Sequence, residues 1–455
     1  MKSSRLFWAC AALALSGPVS FAQRSVVAES SSAAPAEIIT YTEAIAKAGA
    51  NQPLILRAQA AVQSARAKVG QARSDYFPLM NAQAGYGRSN ARQEIELGSD
   101  SVALTPVNAY DFELDAGLLV YDFGKRELQV KLARNELESA LIGVDQIKQD
   151  IAYRTARTYC GAVYFKAELK ELEDEIVGLD EHIEIAKKNE EEGSSTHIDV
   201  VSAQVRLSRA SNRRIDAANA LAKQKIALRQ LMGLALDKDF DIDAEFPSFP
   251  ATGDSQSLVA IALANRPEVQ AALKSESAAQ LGRSLAELGG YPRVDLRGAA
   301  GYRNGILDSA NQDASSLVFN WSIGVLVTMP ILDGHRSARA SDEAAAGAEA
   351  AHQESEERRR AVTSQVLQAL QDLSAGSARA ASAKAQVQQA KEYLDMAKAQ
   401  YDLGAGAGVD YLDACDAFAL AGIDELDSRL RETLGSLALR QAIGAGMPVD
   451  RGDGL

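Results

Sequence analysis

Proline is scarce in this 455-residue chain and its placing is uneven. The eleven prolines stand at 18, 35, 53, 78, 106, 247, 250, 267, 292, 330 and 448, so none falls within 107–246 or 331–447. An interior proline costs a helix about 3 kcal/mol, so these two stretches can hold very long helices. Cysteine is nearly absent, with three residues in all. That excludes a disulfide-built scaffold, and Cys160 and Cys415 read as unpaired small core residues. The four histidines, at 182, 197, 335 and 352, match no HExxH or other ligand spacing, so they read as scattered surface residues and no metal site is expected. No nucleophile elbow or Cys-His signature is present, so neither catalysis nor a cofactor is expected. A basic excess is also lacking. Lys and Arg number 48 against 61 Asp and Glu, a net charge of −13, which argues against a nucleic-acid partner. At 47% hydrophobic and 24% charged residues, the chain is neither a disordered tail nor a bundle of membrane helices.

At the N-terminus, Lys2 and Arg5 precede the apolar run Leu6 to Leu15, then Gly17, Pro18 and Ser20-Phe21-Ala22. The run is too short to span a bilayer and reads as a signal peptide over 1–22, cleaved after Ala22. Cys10 lies inside the run, which argues against lipidation. Residues 23–37, rich in Ser and Ala, read as a flexible leader, and 448–455 as a C-terminal tail.

The remainder is written twice. Ala44 to Tyr86 carries AIAKAGANQP, YFP and AGYG, while Ala260 to Tyr302 carries AIALANRP, YP and AGYR. YDFGKR (Tyr121 to Arg126) answers LDGHR (Leu332 to Arg336), with Gly124 set against Gly334. GSSTHID (Gly193 to Asp199) answers GAGAGVD (Gly404 to Asp410), and LRQLMG (Leu228 to Gly233) answers LRQAIG (Leu439 to Gly444). Landmarks repeated in one order mark an internal duplication, 38–248 and 254–447. Each copy is expected to open with one helix (42–75; 256–288) that ends at a Tyr-Pro corner. Two strands follow (78–92 and 108–122; 292–304 and 316–331), then a long helical hairpin (125–233; 336–444). In the first hairpin Leu137, Leu141, Val144, Ile147 and Ile151, then Leu169, Leu172, Ile176, Leu179 and Ile183, recur at spacings of three and four, the pattern of a coiled-coil-like face.

The strand segments alternate apolar and polar residues: Phe112, Leu114, Ala116, Leu118 and Val120 against Asp111, Glu113 and Asp115, and Phe319, Trp321, Ile323, Val325 and Val327 against Asn320 and Ser322. Such an apolar face either packs on helices or meets lipid, with the polar face lining a water-filled lumen. Aromatic residues gather around these segments, several near strand ends, which favours lipid. Four strands cannot close a barrel, and an open edge in lipid leaves backbone groups unsatisfied. Oligomerisation is therefore expected, a trimer giving twelve strands, and the acidic balance suggests a cation-favouring lumen. The competing reading is a periplasmic coiled-coil scaffold without a pore.

The doubled layout, YDFGKR and PILDGHR at the strand-to-helix junctions, and the G-x5-D tips followed by D-x-x-x-A resemble the TolC-type outer-membrane factors, the exit ducts of efflux pumps and type I secretion systems. The resemblance implies a mainly α chain with a transmembrane β-barrel, assembled as a homotrimer with a twelve-stranded barrel in outer-membrane lipid and an α-helical barrel in the periplasm. It also implies docking on a periplasmic adaptor and an inner-membrane transporter, and a passive conduit opened when adaptor binding moves the tip helices. In the family, aspartates just after the second tip ring the periplasmic entrance; Asp410 and Asp413 match them. The alternative for Asp410 is a helix cap. The family tyrosine of the closing links matches Tyr401, whereas the family arginine position is occupied by Gly406. The tip turns, Gly193, Ser194, Ser195, Thr196 and His197 with Gly404, Ala405, Gly406, Ala407 and Gly408, are the expected adaptor contacts. GAGAG is not a phosphate-binding loop, because no strand precedes it and no Lys-Ser/Thr follows.

Overall fold

The computed structural model describes residues 37–90, 94–97, 100–103, 106–193, 196–235, 239–247, 249, 253–304, 316–403 and 405–447. The expected signal peptide, the leader up to residue 36, the tail, and Ser194, Ser195 and Gly404 lie outside the described residues. The chain begins with β1 (Glu37–Ile39), α1 (Tyr41–Asn51) and α2 (Pro53–Ser74), then β2 (Leu79–Arg88), β3 (Glu94–Leu97), β4 (Asp100–Ala103) and β5 (Asn108–Tyr121). The first hairpin is α3 (Lys125–Glu191) and α4 (His197–Met232), followed by β6 (Phe240–Ile242), α5 (Ser255–Asn265) and α6 (Pro267–Glu287). Strands β7 (Arg293–Arg303) and β8 (Val318–Thr328) lead into the second hairpin, α7 (Arg336–Asp402) and α8 (Gly408–Ala442).

Helices α3 and α7 are 67 residues each, which at 1.5 Å per residue is about 100 Å. The single opening helix expected in each copy is instead two. Gln52 and Arg266 adopt extended backbone before Pro53 and Pro267, as the residue before proline prefers, and each proline starts a new helix at its first position. Among the described residues no helix is long and apolar enough to cross a membrane.

The sheet runs β2-β5-β7-β8, antiparallel throughout. Its register gathers the apolar residues on one face: Tyr86 with Tyr110, Ala84 with Phe112 and Tyr302, Leu114 with Ala300 and Trp321, Ala116 with Gly298 and Ile323, and Leu118 with Leu296 and Val325. That face is open, with Trp321 and Ile323 each 69% exposed, so it packs on no helix of this chain. The opposite face sets Asp111, Glu113 and Asp115 beside Arg297 and Arg303, so the charge there is mixed and not simply acidic. Gly301 is required by its neighbour. A Cβ there would lie 2.1 Å from the Phe112 carbonyl oxygen.

Strand gives way to helix through a corner that explains YDFGKR. Phe123 and Gly124 are both left-handed (φ 58° and 92°), and so are Gly334 and His335 (φ 64° and 67°). By backbone conformation Phe123 therefore corresponds to Gly334, one residue away from the glycine-on-glycine match that the sequence suggests. Asp122 Oδ2 accepts from the Arg126 amide at 2.7 Å, and Asp333 Oδ2 from the Ser337 amide at 2.9 Å, each holding the first turn of a 67-residue helix. Arg126 ties the corner to its strand, donating to the Leu119 and Val120 carbonyls at 2.7 and 3.1 Å, with its guanidinium 4.6 Å from the Tyr76 ring centre.

Midway along the hairpins the parallel pair β1–β6 caps a core of Ile39, Tyr159, Val163, Leu228, Met232 and Phe240. Lys166 and Lys225 both reach Asp241, at 2.7 and 3.2 Å. Cys160 is buried and unpaired, its thiol pushed up to about 12 by burial; Cys415 is unpaired and half-buried, so only the first is a full core residue.

Candidate functional site at the helical tips

Far from the sheet the two hairpins converge. Leu179 and Ile183 of α3, Ala203 and Ala210 of α4, and Leu412 of α8 form one buried cluster, so α8 sits in the groove of the first hairpin. The two turns lie side by side. A Cβ on Gly408 would stand 3.4 Å from the Asp199 carboxyl and 3.5 Å from the Tyr401 ring.

Each turn is held locally. At the first, Thr196 and Asp199 form a capping box, and His197 Nδ1 lies 3.0 Å from Glu190 across the turn. At the second, the Ala405 and Gly406 amides donate to the Gln400 carbonyl at 2.9 and 3.1 Å. Asp410 does not cap α8. That position belongs to Ala407, and Asp410 is an exposed acid in the first turn, where the helix dipole favours negative charge.

Tyr401 lies in an aromatic group that joins three helices. Its ring stacks on Tyr411 with centroids 5.5 Å apart and planes 13° from parallel, and the His182 ring is 5.5 Å away. Asn189 Nδ2 donates to the Tyr401 hydroxyl at 3.4 Å. Burial raises the Tyr411 phenol pKa, and neighbouring Cys415 adds to the effect. His182 is 4% exposed, a correction to its reading as a surface histidine; the spacing Leu172, Glu175, Leu179, His182, Ala186 places it on the buried stripe of α3. Among the described residues no cluster could hold a metal ion.

Asp413 is in a different setting from Asp410. Arg206 of α4 donates through Nη2 to Asp413 at 2.6 Å and through Nη1 to the Leu412 carbonyl at 3.2 Å, and it also bonds Asp416. Burial works against the charge on Arg206, but the two aspartates outweigh it and hold its pKa above the ordinary value. One arginine thus clamps α4 to the start of α8. Sequence reasoning missed it because the contact spans 207 residues; the only local sign was the Asp413/Asp416 pair at i, i+3, two carboxylates on one helix face. Deeper in the first hairpin, burial raises the Glu175 pKa, while Arg213 at 2.5 Å opposes the shift.

Among the described residues the tip is a packed seam of helices held by one arginine and an aromatic group, and the chain as a whole is similar to known proteins. The family model for outer membrane efflux proteins matches residues 44–234 and 258–445. The chain is 26% identical over 395 residues to the outer membrane protein TolC of Vibrio cholerae, covering 87% of this chain and 88% of that protein. It is 22% identical over 397 residues to the solvent efflux pump outer membrane protein SrpC of Pseudomonas putida, covering 86% and 82%. Among solved structures, the outer-membrane channel OprN superposes with a TM-score of 0.76 at 19% identity, covering 89% of this chain and 90% of that one. VceC of Vibrio cholerae gives 0.73 at 22% identity, covering 89% and 96%. These likenesses establish the fold of the chain, and with the family match they lead to one conclusion: the chain belongs to the outer membrane efflux protein family.

Proposed function

We propose that three copies of this chain close into a duct through the outer membrane and periplasm, and that the tip seam is its gate. The observation that carries the proposal is the pair of open edges. In the sheet, β2 and β8 each have one unpaired side. The helices have the same kind of order: α3 packs against α2 and α6, and α6 against α7, near the sheet, while α3 packs against α4 and α8, and α8 against α7, toward the tips. The free edges are therefore α2 and α4 on one side and α7 on the other. Joining β8 and α7 of one protomer to β2, α2 and α4 of the next satisfies both layers with one operation, and threefold closure makes twelve strands. Apolar residues line those edges, including Ile198, Val201 and Val205 on α4 and Met396 on α7, all exposed in the single chain.

In this duct the apolar sheet face meets lipid and the polar face lines the pore. Exposed Asp410, repeated three times, places negative charge at the entrance, while Asp413 serves closure through Arg206. The tip turns around Gly193 and Gly408 present the surface for a periplasmic adaptor, whose binding separates the hairpins and hands over cargo from an inner-membrane transporter. Conduction is passive and needs no catalytic group or cofactor. The test is purification from the outer membrane in detergent, measurement of mass, and reconstitution in a planar bilayer. A trimer with cation-preferring conductance is expected. A water-soluble monomer without conductance would favour the scaffold reading instead.

A further inference from the structure

His182 projects from α3 into the seam that has to part when the tip opens. It is 4% exposed and meets the Tyr411 ring at 5.1 Å and the Tyr401 ring at 5.5 Å. Its Nε2 is buried and has no hydrogen-bond partner among the described residues. Polar groups face it from every helix of the seam. On α3 there is Asn189, which donates to Tyr401. On α4 there is Asp199, whose Oδ2 already accepts from the Thr196 amide and hydroxyl at 3.0 and 2.9 Å. On α7 there is Tyr401, and on α8 Tyr411, with Cys415 beside it. The nearby cations, Arg206 and Lys398, act on Cys415, and Arg206 is committed to its aspartates.

We infer, resting on the gate reading above, that His182 is a proton-sensitive element of the closed tip: protonating its imidazole loosens the seam, so acidification favours the open duct. A neutral ring tolerates this setting at the cost of one unmet hydrogen bond. An imidazolium carries a second donor and a charge into a seam where Nε2 is buried without a partner and the Asp199 carboxylate is already bonded to Thr196. Burial holds the His182 pKa below its ordinary value, and Asp199 acts in the opposite direction without overcoming it. Opening returns the ring to water and to a pKa of about 6.5. The closed tip is therefore fully stable above that value and loses stability as pH falls through it toward the lowered one. One pH unit below, the ratio of closed to open tips drops by up to about tenfold per protomer.

The test compares wild type with His182→Phe, which fills the seam without a titrating group, and His182→Gln, which stays polar but cannot titrate. Bilayer conductance is recorded at about pH 7.5 and about pH 5.5. Alkylation of native Cys415, expressed as the rate ratio of wild type to variant at each pH, reports loosening independently of current. Wild type should open more often at the lower pH, by up to about tenfold per protomer, and its labelling ratio should rise severalfold, while both variants stay flat. An equal pH response in wild type and both variants would overturn the inference. An Arg206→Ala duct separates the two levels. If it too carries no current at either pH, the gate reading fails; if it conducts while wild type and His182→Phe respond alike, only the role of His182 fails.

Discussion

Replacing Arg206 by Ala removes the clamp between α4 and α8 and leaves the helices otherwise intact. The Arg206 side chain is 17% exposed, whereas Asp413 and Asp416 are 56% and 36% exposed. Hydrogen bonds to charged groups contribute about 1.5–3 kcal/mol when buried, and exposed ion pairs about 0–1 kcal/mol. This half-screened group, with its added bond to the Leu412 carbonyl, falls between them at about 2 kcal/mol per protomer. That corresponds to a shift of roughly 30-fold toward open tips. Planar-bilayer recording of Arg206→Ala should show a leaky duct of unchanged trimer mass. Asp413→Asn with Asp416→Asn should add little on that background, because all three groups share one interaction. A variant trimer as tightly closed as wild type, or full additivity of the aspartate changes, would refute the assignment.

Asp410 and Asp413 should separate in function. Asp410→Ala is expected to weaken block by polyvalent cations in the same recordings without opening the tip, whereas Asp413→Ala should raise basal leak. On the lipid face, Ile323→Arg places a charge near the middle of β8 at a cost of about 2–4 kcal/mol, read as a lower urea midpoint for the trimer in lipid vesicles. Gly301→Ala forces a Cβ toward the Phe112 carbonyl and should cost about 1–3 kcal/mol through displacement of β7 from β5, whereas Gly298→Ala, 3.7 Å from its nearest neighbour, should be near neutral; thermal melting of the trimer compares them.

The long-range order of this fold is legible because its signals are simple. Proline-free stretches, period-two strands and threes and fours along α3 each state a local rule that nothing in the tertiary structure overrides. The break at Gln52-Pro53 was readable in principle, since proline both restricts its predecessor and suits a helix start, but the helical pattern on either side hides it. The pair β1–β6 has three residues per strand and comes together across some 200 residues, so no local pattern announces it. The tip divides in the same way. The repeated turns are visible in the duplicated text and Tyr401 through the family resemblance, whereas Arg206 acts through folding alone. His182 stands within the stripe Leu172, Glu175, Leu179, His182, Ala186, but a histidine at a core position reads as polar until its burial is known.

The unpaired flanks of β2 and β8 also govern how the protein can be made. In a lone protomer β2, ten residues long, and β8, eleven, each have one side unbonded, so about half the residues of each strand keep both backbone groups unpaired. In hydrocarbon each unmet backbone group costs several kcal/mol, so a single sheet cannot wait in the bilayer for partners. In water the same flanks are templates for misassembly. For the proposed trimer this constrains biogenesis to one order of events, the sheets meeting and sealing as they enter the lipid, so insertion should depend on protomer concentration.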